Sequence, residues 1–447
     1  MKKRAQFATR LGVIATTVGS AVGRGNIWRF PFEAGAHGGG AFLLIDLFFI
    51  FVVGVPVVCA EFIIGRHTGS NVRGAFRALT PNKAWGAIGY LGLFASVMIL
   101  SFYSVVAGWT MEYVYQSLSG FGGVSSVEGL HGRFDSFATS DWRPLGWTIA
   151  FLFINYVILS RGVEKGIEKM SNVMMPLLFV ILIVFCVNSI TMPAAGKGLR
   201  FLFSPDFSEI SPKVVLSAMG QAFFSLSLGL GCLITYSSYF KRDTPLLRTA
   251  GVMASLDTLV AVLAGVIIFP AVFTFGMEPA AGPKLVFEIL PSIFSRMPLS
   301  MMWSTLFFLL LFLASLSSTI SMSEICIAYL TDEHGMSRRK ATIINIATAM
   351  ILGGLCALSF GSLGDFTICG MTLFNLFDYV SSNILLPVGG MAISIFVGWV
   401  LDKSIVRREL TPTNCSAISR LMVASVIFCL RYVAPVCIAL VFIYGLL

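Results

Sequence analysis

The sequence predicts an all-α integral membrane protein. About eleven helices cross the bilayer, ordered as two inverted five-helix repeats whose first members, helices one and six, are broken. Three observations predict this. Hydrophobic residues make up 56% of the chain and charged residues 12%, a balance foreign to water-soluble domains. Apolar stretches long enough to cross a bilayer, roughly 20 residues each, follow one another with little between them. Two of these stretches, five apart in order, are interrupted by glycine-rich polar runs.

The candidate segments lie near 10–33, 40–65, 86–118, 144–160, 169–190, 213–240, 247–276, 300–331, 341–359, 373–401 and 420–446. They occupy almost all of residues 1–447, so a single transmembrane domain is expected, with no soluble module. Within it, 10–190 reads as the first repeat, 213–401 as the second and 402–447 as an added C-terminal helix. Met1-Lys-Lys-Arg4 ahead of an apolar stretch imitates a signal peptide, but no small-residue cleavage site follows, so the stretch reads as a retained helix. Loops on the side of the N-terminus hold 21 of the 31 Lys and Arg residues, and the opposite loops hold seven. That asymmetry predicts a cytoplasmic N-terminus in a plasma (inner) membrane, and it accounts for the net charge of +9 without nucleic acid. The nine cysteines form no Cys-x-x-Cys pair and read as small core residues.

The first break is Gly19-Ser-Ala-Val-Gly-Arg-Gly-Asn-Ile-Trp-Arg-Phe-Pro31. Unsatisfied backbone groups in lipid cost several kcal/mol each, so irregular backbone at this depth is buried in protein or lines a cavity. Carbonyls released from the ladder can hold a cation. Amides at the start of the outer half-helix can hold an anion. The second break is Gly220-Gln-Ala-Phe-Phe-Ser-Leu-Ser-Leu-Gly-Leu-Gly231 in segment six. Glycine clusters also serve close helix packing. Two of them at corresponding places, carrying Asn, Ser and Gln, favour a site.

These motifs are similar to those of the neurotransmitter:sodium symporters, with the bacterial leucine-transporter fold, which is itself a standard example of broken helices and inverted repeats. The resemblance rests on Ala8-Thr-Arg-Leu-Gly12, the run from Gly19 to Pro31, Gly38-Gly-Gly-Ala-Phe42, Gly54-x-Pro56 with Glu61 and Gly65-Arg66, Gly220-Gln-x-Phe-Phe224 and Ser227-Leu-Gly229. It spans nearly the full length, and the eleven-segment count resembles the shorter bacterial members. It implies a sodium-coupled importer of a hydrophobic amino acid, bulky aliphatic or aromatic, working by alternating access in the lipid bilayer.

The resemblance further implies two sodium sites. The first uses the Ala21 carbonyl, Asn26, Ser225 and Asp257, completed by the substrate carboxylate. The second uses the Gly19, Val22 and Ala314 carbonyls and the hydroxyls of Ser317 and Ser318. Oxygen donors of these kinds suit a hard cation, although a run such as Ala314-Ser-Leu-Ser-Ser-Thr319 taken alone also reads as a packing face. The implied substrate site comprises Ala21, the amides of Gly23 and Gly25, Tyr103 as a carboxylate-binding hydroxyl, and Ile99, Val106, Phe224, Ser225, Ser227, Leu230, Ser318, Ser321 and Met322. Gly23 stands where monoamine-carrying relatives place an aspartate, which favours an amino acid. Arg29 and Asp378 match the family's outer pair, with Phe224 and Tyr103 as a lid. Arg4 and Asp332 match the inner pair, near Ser238 and Tyr239, and Arg24 departs from the family by adding a charge beside Arg29.

Animal members hold chloride with a tyrosine and a serine; the matching positions here are Asp46 and Ala261. Asp257, one turn before Ala261, supplies a fixed negative charge in its place, so chloride-independent transport is expected. Asp46 lies about six residues into segment two, roughly 9 Å along the axis. It either reaches the outer interface or approaches Asp257, in which case the two acids share a proton until sodium arrives. Enzyme readings have little support: there is no Walker A run and no His-Glu-x-x-His among the four histidines. A channel or a substrate sensor on the same fold is the competing reading, and no organic cofactor is expected.

Overall fold

The computed structural model describes residues 6–23, 25–123, 126–277, 285–411 and 417–446. Among the described residues, nine helices are long and apolar enough to cross a membrane: Gly40–Thr68, Lys83–Leu118, Trp142–Leu159, Val163–Ile190, Leu246–Thr274, Ser300–Glu333, Arg338–Leu358, Leu373–Val400 and Leu421–Leu446. They are segments two to five and seven to eleven. Segments one and six are the two broken elements, which completes eleven.

Segment one begins with a helix over Arg10–Ala21, capped by Thr9, whose hydroxyl accepts from Gly12 N at 2.9 Å. Val22 is extended, and the outer half resumes as a π-helical turn, Gly25–Arg29, followed by Phe30–Ala36. Segment six runs from Pro212 to Ser225, with Ser211 as its cap and proline in the first turn, where its missing N–H costs nothing. It resumes over Cys232–Ser237. Between the two parts, Ser227, Gly229 and Gly231 have φ of 53°, 84° and 78°. Three left-handed residues in five explain why the helix cannot continue, and Ser227 bears that conformation without being glycine.

Each break is closed by groups reaching in from other segments. The buried Glu61 of segment two accepts from Gly229 N at 2.9 Å. Gln221 Nε2 donates to Gly25 O at 2.9 Å, Ser227 Oγ to Ser20 O at 3.2 Å and Ser318 Oγ to Val22 O at 3.1 Å. Segment ten presses on the second break: a Cβ at Gly229 would overlap Leu386 O and Gly390 N. Segments three and eight pack along much of their length and form a wall facing both breaks.

Segment five starts at Val163, not 169. The charged run Glu164-Lys-Gly-Ile-Glu-Lys169 concealed its first turn. One of these charges has an internal partner: Glu168, buried, accepts from Ala8 N at 2.8 Å, from Thr9 N at 3.0 Å and from Thr9 Oγ1 at 2.8 Å, holding the start of segment one. The sequence reading also passed over short helices at Val72–Leu79, Val127–Ala138, Ala195–Phe203 and Leu290–Ser295, none long enough to span. At the end that carries the basic loops, a helix over Lys403–Leu410 joins segments ten and eleven. Its Glu409 receives Arg66 Nε at 2.7 Å and pairs with His67 Nδ1 at 3.0 Å, while Arg66 also donates to the Thr244 carbonyl. Burial works against the Glu409 charge, but the hydrogen bonds and charges of His67 and Arg66 outweigh it and hold this carboxyl below its ordinary value.

Gly229→Ala combines a left-handed backbone with backbone overlap, and is expected to destabilise the protein by about 3 kcal/mol. Gly220→Ala, whose new methyl would meet nothing nearer than Val441 Cγ1 at 3.7 Å, should leave the melting midpoint in detergent almost unchanged. Equal midpoints for the two variants would contradict the packing described. Glu409 adds stability that is fully present above the unfolded glutamate value of about 4.3 and is lost as pH falls through its lower folded value. Glu409→Gln should therefore melt earlier than the unsubstituted protein at pH 7, with the difference closing below about pH 4; a constant difference across that range would contradict the pairing.

Candidate functional site

Between the two breaks and the wall of segments three and eight lies a cavity of about 540 Å³. Ala21, Gly23, Gly25, Ile99, Tyr103, Phe224, Ser227, Leu230, Ser318 and Met322 line it, ten of the residues implied for substrate. Segment one ends its inner half-helix at Ala21, so the last carbonyls of that half-helix lack helical partners. A Cβ at position 23 would lie 2.6 Å from Ser318 Oγ and 3.2 Å from Tyr103 OH, so any side chain there enters the cavity.

Val106, Ser225 and Ser321 are not in this lining, which corrects the sequence reading. Val106, three residues beyond Tyr103, is 3% exposed and packed among apolar neighbours. Ser321 donates to Ser317 O at 2.9 Å and accepts from Tyr236 OH at 2.9 Å, which holds its hydroxyl behind the wall. Ser225 donates to Asp257 Oδ2 at 2.6 Å. Phe102, Ser382 and Leu386 line the cavity and were missed. Ser382 and Leu386 stand four and eight residues beyond Asp378 on segment ten, a helical spacing legible in the sequence once Asp378 was assigned to the site.

Asn26, Ser225 and Asp257 form a buried cluster. The Asn26 amide nitrogen donates to Ser225 Oγ at 3.0 Å, Asp257 O at 3.0 Å and Asp257 Oδ1 at 2.8 Å. Its oxygen accepts from Gly23 N at 3.1 Å. The Gly23 amide is thus engaged by Asn26 and not free, and the amide oxygen points away from the cluster. Both facts depart from the expected arrangement, because the asparagine side chain satisfies Gly23 on one side and Ser225 and Asp257 on the other. Asp46 is 2% exposed, which rules out the reading that it reaches the outer interface. Its Oδ1 has no hydrogen-bond partner among the described residues, and it lies within electrostatic range of Asp257 and Arg29. Ala261 is buried one turn beyond Asp257.

A second cluster joins segments one and eight. Ser318 Oγ lies 3.1 Å from Val22 O and 3.2 Å from Ala314 O, and Ser317 Oγ lies 2.9 Å from Ala314 O. A Cβ at Gly19 would touch Ser317 Cβ at 3.4 Å, so this end of segment one is in contact with the serine pair. All five expected residues come together here.

Beyond Phe224 a vestibule of about 690 Å³ is lined by Trp28, Arg29, Phe32, Glu33, Phe224, Asp378, Ser382 and Asn383. Phe224 and Ser382 belong to both cavities and mark the boundary between them. Arg29 and Asp378 share the vestibule but form no ion pair. Arg29 Nε lies 3.5 Å from Glu33 Oε1, one helical turn away, and its guanidinium sits 4.7 Å from the Phe224 ring centroid. Asp378 accepts from Ser382 Oγ at 3.2 Å. The nearer carboxylate on its own helix takes the arginine while the vestibule stands between it and segment ten.

The opposite side of the cavity is sealed. Phe7 packs against Tyr236, Tyr239 and Phe240, and Phe7 N donates to Tyr239 O at 3.1 Å. Tyr239 OH donates to the buried Glu324 at 2.7 Å, which also receives Arg338 at 3.0 and 2.6 Å. The sequence reading named Tyr239 without these partners. Asp332 accepts from Asn71 N at 3.2 Å. Ser238 donates to Thr235 O. Arg4 and Arg24 lie outside the described residues.

Comparison with known proteins agrees with this geometry. The model of the sodium:neurotransmitter symporter family matches residues 4–121 and 130–447. An uncharacterized sodium-dependent transporter of Bacillus subtilis is 36% identical over 99% of this chain and 97% of its own length. The human sodium- and chloride-dependent GABA transporter 2 is 26% identical over 89% of this chain and 73% of its own. Among solved structures, the crystal structure of MhsT in complex with L-phenylalanine is 43% identical with a TM-score of 0.89, covering 99% of this chain and 100% of that one.

Proposed function

Because this chain belongs to the sodium:neurotransmitter symporter family and is a multi-pass, sodium-dependent transporter, we propose that it imports a bulky aliphatic or aromatic amino acid together with sodium. Transport proceeds by alternating access across the plasma membrane, with the N-terminus in the cytoplasm. The carrying observation is the central cavity. Residues of both breaks line it together with Ile99, Phe102, Met322 and Leu386, and Gly23 adds no charge. The similarity to a protein solved with L-phenylalanine supports an aromatic or similarly bulky side chain in that apolar part.

The two clusters are the proposed sodium sites. At the second, a cation takes the Val22 and Ala314 carbonyls that the hydroxyls of Ser317 and Ser318 now occupy, and the hydroxyls turn to it as further ligands. At the first, the Asn26 amide has to turn over so that its oxygen, not its nitrogen, faces Ser225 and Asp257. The same rotation removes the acceptor from Gly23 N, leaving an amide donor to be satisfied. A substrate carboxylate bound at Gly23 and Tyr103 satisfies that donor and supplies the remaining oxygen to the cation. Asn26 thereby couples the two cargoes. Each is better bound when the other is present, as linkage requires of any such pair.

Asp257 is also the proposed reason that chloride is unnecessary. It is fully buried, its side-chain hydrogen-bond donors among the described residues are the neutral Asn26 and Ser225, and it stands one turn from Ala261, which has no hydroxyl to offer an anion. Asp46 adds a second acid close by.

Uptake of radiolabelled L-phenylalanine and L-leucine into proteoliposomes, driven by an inward sodium gradient, tests the function. Accumulation above equilibrium in sodium and none in potassium is expected, whereas equilibration without accumulation would indicate a channel, and binding without uptake a sensor. Asn26→Ala should weaken sodium and substrate binding together, each by about ten- to hundred-fold, as loss of one hydrogen bond to a charged group gives; loss of only one affinity would contradict the coupling. Replacing chloride by gluconate should leave uptake unchanged, and a strict chloride requirement would refute the role given to Asp257.

A further inference from the structure

At the end that carries the basic loops lies a surface cavity of about 1400 Å³ that shares no lining residue with the cavity and vestibule above. Its walls are the turn between segments six and seven, the first turn of segment seven, the end of the helix Lys403–Leu410, and Met422 at the start of segment eleven. Arg66, Arg242, Arg248 and Arg408 line it, against two carboxylates, Asp243 and Glu409. Both carboxylates are engaged. Glu409 holds Arg66 and His67, with Arg242 at 3.8 Å, and Asp243 lies 3.6 Å from Arg10. Arg248 and Arg408 are exposed and have no ion-pair partner among the described residues.

The remaining lining is apolar: Pro245, Leu246, Leu247, Leu410 and Met422. Met422 and its neighbour Leu421 are 50% and 70% exposed at the start of a spanning helix. Unpaired guanidinium groups beside an exposed apolar wall, at the ends of two spanning helices, lie where phosphate groups meet acyl chains.

From this arrangement we infer that the cavity binds the headgroup of an anionic phospholipid of the cytoplasmic leaflet; the leaflet, not the site, rests on the orientation proposed above. Arg248 and Arg408 hold the phosphodiester, since a guanidinium fork matches phosphate geometry and stays charged at any relevant pH. An acyl chain runs along Met422 and Leu247. A zwitterionic headgroup would bring its own ammonium against these arginines and is disfavoured. Free phosphate shares the anionic chemistry but leaves the apolar wall unused, which is why a lipid is the assigned occupant.

The test compares the purified full-length protein with Arg248→Gln/Arg408→Gln, in detergent supplemented with phosphatidylglycerol, phosphatidylcholine or inorganic phosphate. Bound lipid is counted by native mass spectrometry and the melting midpoint is followed. Phosphatidylglycerol should bind the unsubstituted protein and raise its midpoint more than phosphatidylcholine does, and inorganic phosphate should not. The double variant should bind phosphatidylglycerol about ten-fold more weakly or worse, as loss of two arginines near a charged surface implies. Equal binding of phosphatidylglycerol by both proteins, no preference over phosphatidylcholine, or a full shift from inorganic phosphate would each overturn the assignment. Sodium-dependent L-phenylalanine binding is measured in the same samples, so a failure of the transport reading registers separately. If the double variant does not purify, Arg408→Gln alone is read against the same outcomes.

Discussion

A backbone amide or carbonyl in the hydrocarbon core of a membrane has no water to turn to. Segments one and six give up their helical hydrogen bonds at that depth, and the groups released must be satisfied by protein. Glu61 closes the amide of Gly229, Gln221 the carbonyl of Gly25, Ser227 the carbonyl of Ser20 and Ser318 that of Val22. Segments two and eight are thus tied to the two breaks, and the breaks to each other, by this one requirement. The glycines at 229 and 231 follow from it as well, since the chain passes the break in a left-handed conformation pressed against its neighbours.

The same constraint makes the centre of the molecule responsive. Its hydrogen bonds are made by short polar side chains that can exchange one partner for another. Ser317 and Ser318 donate to carbonyls suited to a cation, and Asn26 bridges Gly23 on one side and Ser225 and Asp257 on the other. A cation and a carboxylate arriving together would replace these contacts without leaving a buried group unpaired. Either one alone would leave a donor or an acceptor stranded, at a cost of about 1–3 kcal/mol. That asymmetry is a physical basis for coupling. The seal of Phe7, Tyr239, Glu324 and Arg338 on one side and the vestibule at Phe224 on the other set the direction from which the cavity is reached in this structure.

Segment positions were legible because hydrophobic length reports directly on bilayer crossing, and both breaks were legible because glycine and polar residues are costly there without a purpose. The serine pair and its carbonyls were legible through the family motif and come together in space. What the sequence could not convey was orientation and competition among neighbours. Arg29 shares the vestibule with Glu33 and Asp378 and pairs with Glu33, one turn away, in preference to Asp378. Asn26 turns its nitrogen toward Asp257, a preference set by three acceptors converging from segments six and seven. Ser321 sits at a helical position next to the cavity wall, yet Tyr236 draws its hydroxyl away. Residue count left Asp46 either at the outer interface or near Asp257, and the helices packed over it bury it. Segment five began earlier than its hydropathy suggested, since Glu168 is matched inside the protein by the amides of Ala8 and Thr9.

We propose that sodium and an amino acid meet at the Asn26–Asp257 cluster and share ligands there. The most direct measurement is a closed thermodynamic cycle by calorimetry. Sodium affinity is determined with and without saturating L-phenylalanine, and L-phenylalanine affinity with and without saturating sodium. Each ligand is expected to tighten the other by the same factor, ten-fold or more if one otherwise unsatisfied contact to a charged group is at stake. Affinities for each ligand that are indifferent to the other would contradict it.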